Sequence, residues 1–92
     1  MLDLTNEQWS FLALLEAFSE PVPIVFVGEL APLLPGPLMD LLEKAGAEGW
    51  LVRPDRSTFA IGRKIPAEVR QKLKLINSKG RLNKIVDRIY NE

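Results

Sequence analysis

Apolar residues near the start of the chain recur with the spacing of a helix. Four of them stand at i, i+3, i+4 and i+7 and predict one buried stripe: Phe11, Leu14, Leu15 and Phe18. Upstream, Thr5 and Gln8 have the spacing of a capping box, in which each side chain accepts from the backbone N–H of the other. The helix should end before Pro21, because the residue that precedes a proline disfavours helical backbone angles.

Three residues of this predicted helix lie away from the stripe. Trp9 and Ala13 fall on the other side of the helix, and Leu12 lies at the edge of the stripe. We expect Trp9 and Leu12 to contact a protein partner, since exposed tryptophan is a typical anchor of protein interfaces. The alternative is that the C-terminal helices cover Trp9.

The stretch 21–27 (PVPIVFV) has two interpretations. Its β-branched residues favour a short edge strand, followed by a short helix from about Glu29 to Leu34 that holds Pro32 in its first turn. The competing interpretation begins the helix near Ile24. We favour the strand and leave both open.

A second helix and a two-stranded ribbon follow. Residues 35–37 (PGP) form a turn, and Pro37 suits the first position of a helix over 37–48 that ends at Gly46 or Gly49. The predicted buried stripe of this helix consists of Leu38, Leu41, Leu42 and Ala45. We predict strands at residues 50–53 and 58–61. Residues 54–57 (PDRS) connect them and are of the types that favour a turn. Trp50 should be structural, at the base of the ribbon.

Two amphipathic helices are predicted in the C-terminal part. Pro66 opens the first, whose buried face holds Val69, Leu73 and Ile76 and which breaks at Asn77, Ser78 or Gly80. The second carries an apolar stripe made of Leu82, Ile85, Val86, Ile89 and Tyr90. This stripe closes the core of the same domain, crosses to a second subunit, or begins an adjoining helical repeat. We expect residues 65–92 to pack on the domain formed by residues 1–64.

The predicted fold is therefore mostly α with a small β-ribbon, an α+β class. Three segments carry a resemblance to a known fold: 29-ELA-31, 38-LMDLLEKAGAEGWL-51 and 58-TFAI-61. With them the chain resembles a winged helix-turn-helix domain, in which the ribbon is the wing. The resemblance implies the fold and says little about function.

The whole chain resembles a narrower group, the winged-helix modules of multidomain signal-transduction ATPases and transcription regulators. The carriers of this resemblance are 2-LDLT-5, before the first helix, and the basic helix 65-IPAEVRQKLKLI-76, after the wing. In that group the winged helix usually packs against other domains instead of reading DNA. The resemblance implies that these residues are a module of a longer protein and that their partners are adjoining domains.

Composition argues against catalysis and metal binding. The 92 residues suit one domain, with 47% hydrophobic and 26% charged residues. There is no Cys and no His, so zinc ligands and a base for a serine nucleophile are missing, and we expect no enzyme activity, cofactor or metal. The longest uncharged apolar run, 21–28, is too short to span a membrane, and the acidic N-terminus does not suit a signal peptide. We expect a cytoplasmic protein.

The zero net charge hides a division between the two halves of the chain. Residues 1–50 hold eight acids and one base, a net charge of −7, whereas residues 51–92 hold four acids and eleven bases, a net charge of +7. The halves attract each other, within the fold or between molecules, or the second half binds an acidic partner.

Two functions fit this pattern. The outward face of helix 37–48 shows Met39, Asp40, Glu43 and Lys44, which offer few donors to base edges and repel phosphates. We therefore favour a non-catalytic winged-helix module of a regulatory or signalling protein that acts through protein–protein or interdomain contacts, with a homodimer possible. Its candidate contacts are Trp9, Leu12, Met39, Ile85, Ile89 and Tyr90. The alternative is a DNA-binding transcriptional regulator that uses the basic C-terminal half and four candidate phosphate contacts: Arg53, Arg56, Arg63 and Lys64.

Overall fold

The computed structural model describes residues 2–18 and 20–79. These residues form four helices and a three-stranded antiparallel sheet. In chain order the elements are α1 (Asn6–Ala17), β1 (Val22–Pro23), α2 (Ile24–Leu30), α3 (Pro35–Ala47), β2 (Leu51–Val52), β3 (Thr58–Ile61) and α4 (Ala67–Lys79). The arrangement confirms the α+β class and is compatible with a winged-helix fold. The predicted last helix, with Ile85, Ile89 and Tyr90, lies outside the described residues.

Helix α1 begins with the predicted capping box. Thr5 Oγ1 accepts from the Gln8 backbone N–H over 3.2 Å, and Gln8 Oε1 accepts from the Thr5 backbone N–H over 2.9 Å. Of the predicted stripe, Phe11, Leu14 and Leu15 are buried. Phe18, the fourth member, is half-buried and directly follows the helix.

The prediction that Trp9, Leu12 and Ala13 lie away from the buried side of α1 is wrong. Trp9 is 7% exposed, and Leu12 and Ala13 have no exposed surface. Helix α4 covers this side and runs antiparallel to α1, because Glu16 meets Arg70 near the start of α4 and Ala13 meets Asn77 near its other end. A helix that packs against neighbours on more than one side is apolar around most of its circumference.

The favoured interpretation of residues 21–27 as an edge strand is also wrong, because the strand is shorter than predicted. The strand is only Val22–Pro23, which pairs with Phe59 and Thr58 of β3, and α2 begins at Ile24 as in the competing interpretation. Burial of Val27 outweighs the modest preference of β-branched residues for strands. Pro32 does not lie in the first turn of a helix but follows α2.

Helix α3 starts at Pro35, two residues earlier than predicted. Both prolines of this stretch fit, since the first backbone N–H groups of a helix have no partner within it. Leu41 and Ala45 are buried, as predicted. After the helix, Gly49 has φ +77°, its N–H donates to Gly46 O, and the Trp50 N–H donates to Ala45 O. This is a Schellman motif, which requires the left-handed backbone that glycine adopts without strain.

The predicted ribbon is confirmed. Strand β3 lies in the middle of the sheet, with β1 on one side and β2 on the other, and Leu51 pairs with Ile61. In the turn between β2 and β3, Asp55 Oδ1 accepts from the backbone N–H and the hydroxyl of Ser57. These two hydrogen bonds lower the pKa of Asp55, so its carboxylate stays ionised to lower pH than that of an unperturbed aspartate.

Aromatic contacts join the ribbon to α1. Phe11 and Phe59 meet edge to face with ring centroids 5.6 Å apart, and Trp50 lies 6.5 Å from Trp9. Trp50 is buried, which confirms its predicted structural role. The core of the described chain therefore centres on α1, with the sheet and α4 packed against it.

Helix α4 confirms the predicted buried face. Val69 and Leu73 are buried and Ile76 is half-buried, as predicted. Of the three positions at which the helix was expected to break, Asn77 and Ser78 lie within α4, and Gly80 lies outside the described residues. Asn77 is buried, and its Nδ2 donates to Ala13 O of α1 over 2.8 Å, so a residue with poor helix propensity is retained for a tertiary contact.

No single helix within 2–18 and 20–79 is both long and apolar enough to cross a membrane. Helices α2 and α3 meet that criterion only when taken as a pair, and the pair is bent by 117° at the break between them.

Candidate interaction surfaces

Helix α1 has α3 on one side and α4 on another. Toward α3, Gln8 Nε2 donates to Pro37 O over 2.9 Å and to Asp40 Oδ2 over 3.0 Å. Toward α4, Glu16 forms an ion pair with Arg70 at 3.4 Å. The acidic helix α3 and the basic helix α4 therefore contact different residues of the same central helix. Among the residues that the structure describes, Glu16 with Arg70 is the one ion pair that joins the two halves of the chain.

The outward face of α3 combines one exposed apolar residue with acidic side chains. Met39 is 59% exposed, and Glu43, one helical turn further on, is exposed as well. Lys44 Nζ lies 3.2 Å from Asp40 Oδ2 and also donates to the backbone carbonyl of Asp3 over 3.3 Å. Because these contacts already engage Lys44, this face offers little positive charge to a partner.

Asp40 is held in its ionised form. The Gln8 amide, followed by the Lys44 ammonium, donates hydrogen bonds to its carboxylate, and both lower the pKa of Asp40. Asp40 therefore keeps its negative charge to lower pH than an unperturbed aspartate does.

Two further apolar side chains are exposed near the start of α3 and on α2. Leu34 precedes the first turn of α3 and is 75% exposed, and Val25 in α2 is 76% exposed. We use the name α2–α3 surface for the exposed apolar side chains of this part of the chain together with two acidic residues of α3: Val25, Leu34, Met39, Asp40 and Glu43. Exposed apolar side chains beside acids are typical of a surface that contacts another protein.

The four candidate phosphate contacts are all exposed, but the structure does not bring them together. Arg53 and Arg56 share the turn of the ribbon, where Arg53 Nη2 donates to Arg56 O over 2.9 Å and its guanidinium lies 5.3 Å from the centre of the Phe59 ring. Arg63 and Lys64 follow the other end of β3, roughly 13 Å away for a four-residue strand. The ionised Asp55 lies between Arg53 and Arg56 in sequence and offsets part of their charge.

The described bases of α4 are partly engaged within the fold. Arg70 is paired with Glu16, and Lys72 Nζ lies 4.1 Å from the centre of the Trp9 ring, a cation–π contact. Lys74 is exposed and so is its apolar neighbour Leu75. Three further bases of the C-terminal half, Arg81, Lys84 and Arg88, lie outside the described residues.

A groove is lined by residues of α1, of α4 and of the segment that precedes α1. Its volume is about 460 Å³, and we call it the α1–α4 groove: Leu4, Asn6, Trp9, Ser10, Lys72 and Ile76. Leu4 and Ile76 are only half-buried, while the Trp9 ring is almost entirely covered. The groove therefore presents apolar edges with a cation over its aromatic residue.

The predicted contact residues have different outcomes. Met39 is exposed as predicted, whereas Trp9 and Leu12 are buried, and Leu12 has no surface left for a partner. Sequence reasoning missed Gln8 as the link to α3 and Asn77 as the link to α1. No local pattern indicates either contact, since each joins residues far apart in the chain.

Among the residues that the structure describes, no group of three or more acidic side chains is placed to hold a metal ion.

Comparison with known proteins gives no match: no family model, curated protein or solved structure corresponds to this chain.

Proposed function

We propose that this chain is a non-catalytic winged-helix module of a cytoplasmic regulatory or signalling protein, and that it acts through protein–protein or interdomain contacts. The observation that carries the proposal is the outward face of α3. In a winged helix, this second helix of the helix-turn-helix pair is the one that would enter the major groove of DNA.

The chemistry of that face suits a protein better than DNA. Base edges in the major groove are read by donors such as Arg, Lys, Asn and Gln. Here the exposed positions hold Met39 and Glu43, and Lys44 is engaged by Asp40 and Asp3. Phosphates repel the carboxylates, whereas a basic, partly apolar protein surface complements both them and Met39.

A second observation favours the alternative, a DNA-binding regulator that uses the ribbon and the basic C-terminal half. Arg56, Arg63 and Lys64 are exposed and have no ion pair among the residues that the structure describes. Such bases bind phosphate without reading sequence and give affinity that falls steeply with salt.

Fluorescence anisotropy separates the two functions. A labelled pool of duplex DNA is titrated with the protein at about 50 and about 200 mM salt, the range in which phosphate contacts weaken most clearly. We expect no binding, or weak binding that disappears at the higher salt. Binding that persists at the higher salt and is lost in the Arg53→Ala/Arg56→Ala variant would establish the alternative instead.

A capture experiment tests the favoured function directly. Immobilised wild-type protein and the Met39→Glu variant are compared by quantitative mass spectrometry of the proteins they retain. We expect a specific partner to be retained by the wild type and lost with Met39→Glu. The control is Leu75→Glu, which makes the same kind of change on α4 and should keep the partner. Equal retention by all three proteins would argue against the α2–α3 surface.

A further inference from the structure

We propose that the outward face of α3 docks on the outward face of α4 in a second copy of this chain. The α3 side of this contact is apolar at one position and acidic beside it. Met39 is 59% exposed, and Glu43 is exposed one helical turn further on. A partner that carries one exposed apolar side chain next to a free cation matches both residues.

Helix α4 presents that combination. Leu75 is 56% exposed, close to the value for Met39. Its neighbour Lys74 is exposed and has no ion pair among the residues that the structure describes. Four exposed residues of α4 recur at i, i+3, i+4 and i+7 and therefore share one side of the helix: Gln71, Lys74, Leu75 and Ser78.

The two faces do not meet within one molecule. Helix α3 buries Leu41 and Ala45, and helix α4 buries Val69 and Leu73, so the exposed side of each helix points away from the core. Within residues 2–18 and 20–79, no ion pair joins α3 to α4. Both faces therefore stay open in a single molecule, and a second copy supplies the complement of each.

Charge complementarity selects α3 against α4 over the other pairings of two copies. Two α3 faces would oppose their acids, and two α4 faces would oppose their bases, and like charges brought together weaken a contact. With Leu75 placed against Met39, Lys74 lies on the same helix beside the contact. Glu43 is roughly 6 Å along α3 from Met39, a distance that the long side chain of Lys74 can cover.

This contact goes beyond the proposed function, because it assigns a second copy of the chain to α3 when no other protein is bound. It shares Met39 with that function but is measured on the pure protein alone. The Leu75→Glu variant separates the two, since it should weaken self-association and still leave α3 free for another protein. A protein that binds α3 would have to displace the second copy.

Sedimentation equilibrium of the pure protein tests the proposal. A small contact with charges at its edge belongs with weak interfaces, so the protein is examined from about 10 µM to about 1 mM. We expect reversible association that weakens between about 50 and about 200 mM salt. A wild-type protein that stays monomeric over this whole range at the lower salt would overturn the proposal.

Charge reversal identifies the two faces. Glu43→Lys and Lys74→Glu should each weaken association by roughly 2- to 30-fold, because the attraction of a surface ion pair is replaced by repulsion of similar size. The matched controls, Glu7→Lys and Arg63→Glu, make the same changes of net charge at exposed sites of α1 and after β3, and they should associate like the wild type. Controls that weaken association as much as the face variants would show attraction between net charges without this contact, and would overturn it.

Mixing the two face variants is the decisive step. Glu43→Lys keeps the native α4 face and Lys74→Glu keeps the native α3 face, so an equimolar mixture should associate at least as strongly as the wild type. Circular dichroism confirms that both variants fold, which their exposed positions favour. The combined variant Glu43→Lys/Lys74→Glu, which carries both reversals in one chain, should also recover association. If folded variants fail to associate on mixing and the combined variant is no better, α3 does not dock on α4 and the proposal is wrong.

Discussion

Gln8 Nε2 donates to Asp40 Oδ2 over 3.0 Å, and this hydrogen bond connects the capping box of α1 to α3. The same amide donates to Pro37 O, while its oxygen accepts from the Thr5 backbone N–H. The buried Gln8 side chain therefore accepts a hydrogen bond from a backbone N–H at the start of α1, and it fixes the position of α3 through the two hydrogen bonds that it donates. The α2–α3 surface depends on this link, because Met39 and Glu43 lie on the helix that Gln8 holds.

Replacing Gln8 should destabilise the protein. Gln8→Ala removes three hydrogen bonds of a buried side chain, and we expect a loss of about 2–3 kcal/mol of unfolding free energy. Gln8→Glu keeps the acceptor for Thr5 but places a carboxylate against Asp40, so at neutral pH it should also destabilise. Urea unfolding measures both changes, with the exposed neighbour variant Glu7→Ala as control. A Gln8→Glu variant as stable as the wild type would contradict this account; adding Asp40→Asn to it should restore part of the loss.

The pH dependence of stability should carry a contribution from Asp40. The hydrogen bonds from Gln8 and Lys44 lower its pKa in the folded state below the value of 3.8 expected without them. A lowered pKa stabilises the fold fully above the unfolded value, and this stabilisation is lost as the pH falls through the folded value. Asp40→Asn should therefore narrow the difference in urea midpoint between about pH 5 and pH 2. Glu43→Gln, on the same helix, controls for the loss of one negative charge.

Trp9 should be essential for folding and not for partner binding alone. Its ring is buried between Trp50 and Lys72, and truncation of a buried tryptophan typically costs about 3–5 kcal/mol. We expect Trp9→Ala to unfold at much lower urea concentration than the wild type. Met39→Ala, at an exposed site, should change stability by no more than about 0.5 kcal/mol. A Trp9→Ala variant with wild-type stability would contradict the burial of Trp9.

Sequence reasoning succeeded where a signal is local and failed where a contact is distant. The Thr5–Gln8 capping box and the turn at Asp55 follow from neighbours in the chain, and both are confirmed. Of the two glycines expected to end α3, Gly49 is the one that adopts the left-handed backbone. The burial of Trp9 could not be predicted from the sequence of α1 alone. That sequence indicates one buried stripe, whereas α1 packs against neighbours on more than one side. For α2, packing of Val27 decides against the strand that its β-branched sequence favours.

Whether the oppositely charged halves of the chain pair with each other also depends on distant contacts. The sequence shows acids in one half and bases in the other, but it does not show whether they meet. Within the described residues the one ion pair that joins the halves is that of Glu16 with Arg70. The acidic face of α3 therefore stays available, which could not be inferred from the net charge.

Gly62 should resist substitution because of the close approach at the base of the ribbon. A Cβ atom at this position would collide with the carbonyl oxygen of Gly49, a backbone atom that cannot move aside, while the Gly62 N–H donates to Trp50 O. We expect Gly62→Ala to destabilise the fold by more than about 1 kcal/mol. The matched control is Gly28→Ala in α2, where the added Cβ meets open space and should stabilise the helix by about 0.5–1 kcal/mol. Thermal unfolding of the two variants should shift in opposite directions.

Asn77 should tolerate an apolar replacement but not a charged one. Its Nδ2 donates to Ala13 O, yet its Oδ1 is buried and has no hydrogen-bond partner among the residues that the structure describes. Asn77→Leu removes this unsatisfied oxygen, and Ala13 O keeps its place in the hydrogen-bond ladder of α1, so the change in stability should stay within about 1 kcal/mol.

Asn77→Asp should behave in the opposite way. At neutral pH it buries a carboxylate against the Ala13 carbonyl, and an uncompensated buried charge costs about 3–5 kcal/mol. Burial raises the pKa of such a carboxyl in the folded state above its value in the unfolded chain. The protonated carboxyl therefore favours the folded protein, and this stabilisation is lost as the pH rises from the unfolded-state pKa through the folded-state pKa. A protonated Asp can also donate to Ala13 O. Relative to the wild type, Asn77→Asp should therefore recover stability as the pH is lowered from 7 toward about 4, as measured by urea unfolding. A constant difference across that range would mean that position 77 is not buried against α1.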